Sequence, residues 1–196
     1  MEYSFQIVYL CLMEKRERII QSAMKLLIDN GVQATPMSAI AKAADTGMGT
    51  IYNYFATKEE LINAIYLYIK QDEVNFLNAP FTDESVKRRF DHFYGAFILY
   101  FIKHPLHFRF MDQFHNSPIL TSDTKEEGMK TIETFLSLIS KGQEQGILKQ
   151  IGFDELMSFL NGGLMGFVRW VLMGHISVDK TLLDNQLRIA WDAVKQ

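Results

Sequence analysis

The sequence predicts an all-α protein of about nine helices, and three observations predict it. Apolar residues recur at three- and four-residue spacing along most of the chain. Those stripes end at residues that stop helices: Gly31, the pair His104-Pro105, and Gly146. The stretch from Thr35 to Leu61 reads as two short helices around a tight turn. With 48% hydrophobic and 13% aromatic residues in 196, the chain can bury a sizeable core, which excludes disorder. The length suits one compact unit or a small domain joined to a larger one.

The first helix carries Ile19, Ile20, Ala23, Leu26 and Leu27 on one stripe and stops at Gly31. Thr35 is placed to cap the second helix, with Pro36 at its first position, where a missing N–H has no intrahelical partner to lose. Met37, Ile40, Ala41 and Ala44 give that helix one buried face. Asp45 to Gly47 interrupt the pattern before it resumes at Ile51, Tyr52 and Phe55. A pair of short helices joined this tightly is how a protein presents one helix to a DNA groove.

These residues resemble the TetR family of one-component transcriptional regulators. The match rests on Ile40 and Ala41, Gly49-Thr50-Ile51-Tyr52, Tyr54-Phe55 and Lys58-Glu59-Glu60-Leu61, with Arg18-Ile19-Ile20, Ala23, Leu26-Leu27 and Gly31 upstream. It is dense over roughly residues 15 to 62. The resemblance implies a helix-turn-helix DNA-binding domain at 13–60 and a helical effector-binding and dimerisation domain at 61–196. Met13 fits a natural start, which makes residues 1–12 an N-terminal extension. The implied partners are a double-stranded DNA operator, a small-molecule effector and a second copy of the chain, with no cofactor.

By the same resemblance, the recognition helix spans about Gly47 to Asn53. Gly49 allows close backbone approach, and Thr50 offers its hydroxyl to a phosphate or base. Thr35, Tyr52, Tyr54 and Lys58 hold phosphates, contacts that set register without reading sequence. Base reading falls to Met48, packed on a thymine methyl, and to Asn53, whose amide suits adenine or else sits solvated at the helix end. Where the family usually has Gly-Val-Ser in its turn, this chain has Asp45-Thr46-Gly47. Asp tolerates the left-handed conformation, so the turn is expected to close, but the contact made by that Ser is absent.

Charge is a weaker guide. The net charge is −3, and from Met13 to Leu61 six basic residues face six acidic ones. Phosphate affinity must therefore come from placement of Lys15, Arg16, Arg18, Lys42 and Lys58 and from helix N-termini.

A fourth helix, about Lys58 to Leu77, carries Leu61, Ile65, Tyr68 and Ile69 and links the reading head to the body. After a break at Asn78 to Thr82 containing Pro80, Thr82 is placed to cap a helix that runs to Lys103. Its stripe of Phe90, Phe93, Tyr94, Phe97, Phe101 and His104 and its all-apolar Gly95–Ile102 run predict a helix surrounded on all sides. A short segment follows from Leu106 to His115, then a seventh helix from about Ser122 to Gln145.

In the family this body senses ligand. The implied effector pocket is Phe93, Phe97, Tyr100, Phe101, His104, His107, Phe108 and Met111, with Arg109 and Gln113 as further polar candidates. A mostly apolar effector is expected. Ordinary core packing is the better account of any single one of these aromatics. No metal is expected at His104-x-x-His107, because Pro105 lies inside it and no Glu or Cys stands at ligand spacing.

Two last helices, about Asp154 to Met173 and Asp179 to Val194, suit self-association. By resemblance the dimer interface includes Leu160, Gly163, Phe167, Leu183, Leu187 and Trp191, with Gly162 and Gly166 allowing close approach. Close packing within one chain is the other reading of those glycines. Arg169 pairs with an acidic group across the dimer or anchors an acidic effector.

No apolar run reaches the roughly 18 to 20 residues that cross a bilayer, so no membrane is expected. The single cysteine, Cys11, forms no intrachain disulfide, which suits a reducing cytoplasm. HExxH, GxSxG and phosphate-binding glycine loops are all missing, so the chain is not expected to be an enzyme. The expected activity is repression from a palindromic operator, released by effector. The alternative is a helical small-molecule-binding or adaptor protein without DNA binding.

Overall fold

The computed structural model describes residues 2–77 and 85–196, with side chains from Glu14 onward. The expected extension at 1–12 with its Cys11, and the break at Asn78 to Thr82 with its Thr82 cap, lie outside the described side chains. Among the described residues there are ten helices and no strand: α1 (Glu2–Asn30), α2 (Met37–Ala43), α3 (Met48–Tyr54), α4 (Lys58–Leu77), α5 (Val86–Lys103), α6 (Pro105–Phe114), α7 (Ser122–Lys130), α8 (Glu133–Glu144), α9 (Phe153–Leu172) and α10 (Lys180–Val194).

The chain divides into two compact units. The first comprises Met1–Ile69 with Arg109–Glu126, and the second Lys70–Phe108 with Glu127–Gln196. In the first, α1 packs on α2 and α2 on α3. Its core joins Ile19, Ile20, Ala23, Met24 and Leu27 to Ile40, Ile51, Phe55, Leu61 and Ile65, all buried. Gly31 stops α1 in the left-handed conformation at φ +78, with its N–H donating to the Leu27 carbonyl at 2.9 Å. α4 begins at the motif Thr57-x-x-Glu60. The Thr57 hydroxyl accepts from the Glu60 N–H at 3.1 Å, and the Glu60 carboxylate reaches back to the Ala56 N–H at 2.8 Å, a capping box shifted by one residue.

α5 is the centre of the second unit, packing on α8, α9 and α10. Phe90 is fully buried and meets the rings of Tyr94, Phe135 and Trp191 at centroid distances of 5.6, 6.1 and 5.5 Å. The expectation that α5 is enclosed on every side does not hold: Leu99 is exposed, and Phe97 and Ile102 are half-buried. Apolar composition shows that a face avoids charge, not that its own chain covers it.

The expected single helix from Ser122 to Gln145 is two. The Thr131 hydroxyl donates to the Gly128 carbonyl at 2.6 Å, and the N–H groups of Thr131 and Ile132 reach carbonyls three residues back. A side chain that bonds the nearby backbone this way competes with the helical ladder, and here the helix breaks. α8 ends before Gly146, at φ +66 as its composition suggested. α10 is capped by Asp179, whose carboxylate accepts from the Leu182 N–H at 2.7 Å.

Candidate nucleic-acid interface

The turn between α2 and α3 closes as the sequence required. Asp45 is the one non-glycine residue at positive φ among the described residues, at 51°. The Thr46 N–H bonds the Ala41 carbonyl at 2.9 Å and the Asp45 N–H the Lys42 carbonyl at 3.3 Å, the paired bonds of a Schellman stop. Gly47 then opens α3 with extended backbone and no side-chain cap.

α3 has two unequal faces. Ile51 is fully buried against the first unit, followed by buried Phe55. Met48, Gly49, Tyr52 and Asn53 are all exposed, and Thr50 and Tyr54 are half-buried. Positions i, i+1, i+4 and i+5 form one stripe of a helix, so the residues assigned to reading and to phosphate contact share a surface. A methyl group added at Gly49 would meet nothing within 4 Å. The glycine is therefore not demanded by packing within the chain.

Two of the expected phosphate contacts look different. The Thr35 side chain is buried at 1% exposure, and its hydroxyl faces the Gly31 carbonyl at 2.8 Å and the Leu26 carbonyl at 3.2 Å. It ties the end of α1 to the start of α2 and does not cap α2; Pro36 occupies the cap position. Lys58 donates to the Val32 carbonyl at 2.7 Å, which fixes its ammonium and leaves two N–H donors for an anion. Arg16 lies over the Phe55 ring at 5.4 Å. Arg18 lines an open cleft with Glu14, Glu17 and Asp45, where acid offsets its charge.

What steadies this head is a set of contacts between residues far apart in sequence. Asn63, almost fully buried, donates to the Glu59 and Ile119 carbonyls at 2.8 and 3.0 Å, while its carbonyl accepts from the Thr121 N–H at 3.0 Å. Tyr68 accepts from Gln21 at 2.9 Å and donates to Glu17 at 3.0 Å, pinning α4 to α1. Asp29 pairs with Arg109 at 3.1 Å. These partners are far apart in sequence, and no local pattern announces them.

Comparison with known proteins settles the identity of this arrangement. Residues 19–65 match the family described as bacterial regulatory proteins, tetR family. Residues 59–196, well over half the chain, match the Tetracyclin repressor-like C-terminal domain. The chain belongs to the TetR family. It is 31% identical over 141 residues to the HTH-type transcriptional regulator YhgD of Bacillus subtilis (strain 168), covering 68% of this chain and 70% of that one. It is 39% identical over 49 residues to the HTH-type transcriptional repressor KstR of Rhodococcus jostii (strain RHA1), covering 25% of this chain and 23% of KstR. The crystal structure of a TetR family transcription regulator from Marinobacter aquaeolei VT8 shares the fold, with a TM-score of 0.86 and 22% identity over 93% of this chain and 96% of that one. As a TetR-family member the chain is a DNA-binding transcriptional regulator, and its relatives are regulators, not enzymes. No described helix is long and apolar enough to cross a membrane.

The second unit of this TetR-family chain holds seven of the eight expected effector residues, and Met111 falls in the first unit. The seven form two groups, one of Phe93 and Phe97 and one of the other five, the latter joined by the Tyr100–Phe101 ring contact at 5.3 Å. Phe93 and Phe97 flank the Phe135 ring of α8 at 6.0 and 6.2 Å. Phe101 meets Phe108 edge-on at 5.8 Å. Tyr100, His104 and His107 stack in succession, with Tyr100 4.7 Å from His104 and His104 5.2 Å from His107. Tyr100, Phe101, His107 and Phe108 are buried, so they fill space as core side chains do. The Tyr100 hydroxyl donates to Asp72 at 3.0 Å and lies 2.7 Å from His107 Nδ1. Burial holds the His107 imidazole below its usual pKa, against the upward pull of Asp72 and with a further downward push from His104.

The expected dimer residues differ in exposure within the single chain. Leu160, Phe167 and Trp191 are buried within their own chain, and Leu183 and Leu187 are half-buried. Leu187 closes on α5, within 3.4 Å of where a Cβ on Gly95 would stand. Gly163 is exposed but backs onto the Tyr94 hydroxyl, 3.4 Å from an added Cβ. Helical periodicity identifies apolar positions, and the strongest of them serve the chain's own core. Outward-facing instead are Phe159 and Trp170 on α9, Met173 at its C-cap and Ile189 on α10, each more than half exposed at 59, 59, 65 and 58%.

Proposed function

We propose that this regulator is a homodimeric repressor that binds a roughly palindromic operator and is released by a small effector bound in its second unit. The observation that carries the reading is the face of α3, where Met48, Gly49, Tyr52 and Asn53 stand exposed on a helix anchored from behind by Ile51. Such a helix lies in a major groove, with Tyr52 and Tyr54 on phosphates and Met48 and Asn53 on base edges. The repressor KstR, similar over the head, supports the sign of the action.

Dimerisation runs through α9. Phe159, Gly162, Gly166, Trp170 and Met173 follow one another at steps of three and four on one stripe, exposed except at the half-buried Gly166, and Ile189 of α10 adds to the exposed apolar surface. A twofold pairing of such helices buries large apolar side chains that a monomer leaves in water. Effector binding alters the spacing of the two heads through α4, whose residues belong to both units. It does so only as far as the effector prefers one spacing over the other. The cytoplasm is where the operator lies.

Selection from random duplexes with the full-length protein tests the reading. It should enrich an inverted repeat whose binding weakens steeply with salt, and Asn53→Ala should change the ranking of half-site sequences. Trp170→Glu should leave a folded chain that sediments as a monomer and binds that repeat more weakly. A protein that binds no duplex in a salt-dependent way would instead be a helical small-molecule carrier.

A further inference from the structure

We propose that Asp72, His104 and His107 form a binding site for a divalent transition-metal ion, zinc by its chemistry, with the Tyr100 hydroxyl holding two of the donors together in the metal-free site. One carboxylate oxygen and two imidazole nitrogens, one from each residue, all lie within 4.8 Å of one another. Three elements supply them: Asp72 comes from the last turns of α4, His104 is the C-cap of α5, and His107 sits in the first turn of α6.

Pro105 creates this arrangement. It begins α6 immediately after α5 has ended, so the two histidines flank a corner and are not stacked one turn apart on a single helix. Their rings lie nearly parallel, at 13°. Asp72, remote in sequence, completes the set, which the spacing of His104 and His107 alone did not reveal.

A tetrahedral zinc with bonds of about 2.0–2.2 Å needs donor atoms about 3.3 Å apart. Asp72 Oδ2 and His107 Nδ1 are 3.6 Å apart, close to that separation before any metal draws them in. Tyr100, fully buried, holds both of them at hydrogen-bond distance. Its hydroxyl bonds the same two atoms and so holds them together in the metal-free site, and the ion displaces both hydrogen bonds when it binds. His104 has the freedom the others lack. It is half-buried, and among the described residues no hydrogen bond reaches its ring. A modest rotation brings it onto the metal.

Access and selectivity follow from the same geometry. The Asp72 side chain is 38% exposed and that of His107 9%, so the site has a wet entrance and a dry floor. Two nitrogen donors and one oxygen suit zinc and its transition-metal neighbours, whereas calcium and magnesium prefer oxygen alone. Three protein donors leave a coordination position for water or for a ligand atom.

The site is independent of DNA binding and is tested without it. Metal-stripped full-length protein is titrated with zinc against a chromophoric chelator, and melting is followed with and without zinc. One zinc per chain and a raised melting temperature are expected. His104→Asn and Asp72→Asn alter partly exposed side chains; each should abolish the high-affinity binding while leaving the metal-free melting temperature near that of the parent. No zinc bound by the parent protein would overturn the proposal. So would binding that survives both His104→Asn and Asp72→Asn, since it would belong to His92, His115 or His175.

Discussion

α3 buries one side chain, Ile51, whereas α5 buries seven residues from Val86 to Phe101. Both helices are the centre of their unit's expected activity, and they spend their surfaces in opposite directions. α3 faces outward and is steadied by neighbours: the Schellman stop at Asp45, the Asn63 clamp and the Tyr68 bridge. α5 faces inward, and the aromatics that resemble a binding pocket are the same ones that hold the unit together. Exposure separates function from scaffold in the head; in the body one set of residues serves both, so a substitution there mixes the two effects.

The largest expected effect tests that mixing. Phe90→Ala removes a fully buried ring that touches three others and should cost about 3–5 kcal/mol of stability. Urea denaturation reads this directly as a lowered midpoint. A loss below about 1 kcal/mol would mean that the body relaxes around a hole, and that its aromatics are looser than core residues.

Tyr52→Phe tests the other side. The hydroxyl belongs to an exposed residue of α3, so the melting temperature should not change. Affinity should fall by about 1.5–3 kcal/mol, the range for a hydrogen bond to a charged group. The fall should be equal on strong and weak duplexes, because a phosphate contact carries no sequence information. An uneven fall would make Tyr52 a base reader.

What the sequence revealed follows the same division. Local chemistry was legible: the stops at Gly31 and Gly146, the left-handed Asp45 and the start of α4 stand where residue types place them. Choices between partners were not. Thr35 had a suitable hydroxyl for a cap, but the Gly31 and Leu26 carbonyls took it. Leu160, Phe167 and Trp191 had the right period for an interface, and their own chain covered them, leaving Phe159 and Trp170 outside. Asp72 joined His104 and His107 only through the path of the chain in space. Periodicity fixes a residue's face on its helix and says nothing of what that face meets.

Tyr94 sharpens the account of the body at smaller scale. Its hydroxyl donates to the Leu160 carbonyl at 3.1 Å, and burial pushes its pKa from 10.0 up to about 12. A raised pKa favours the neutral phenol in the folded chain. Its contribution is therefore fully present below pH 10 and is lost as pH rises through about 12. Tyr94→Phe should cost about 1 kcal/mol at neutral pH. The gap between parent and variant should then close over that alkaline window, as denaturation at stepped pH would show. A gap that stayed constant to high pH would mean that the phenol ionises in place.

The smallest effect returns to the turn that presents α3. Asp45 holds φ at 51°, a conformation that is costly for side chains with a Cβ and less so for Asp than for most. Asp45→Gly removes that Cβ and should stabilise the folded turn, offset by the extra freedom that glycine gives the unfolded chain, for a net gain under about 1 kcal/mol. It also removes a carboxylate from the acidic cleft that Arg18 lines. DNA affinity should therefore rise slightly at low salt and converge with the parent as salt screens the difference. A variant that is destabilised would show that the Asp45 side chain supports the turn through contacts worth more than the strain it carries.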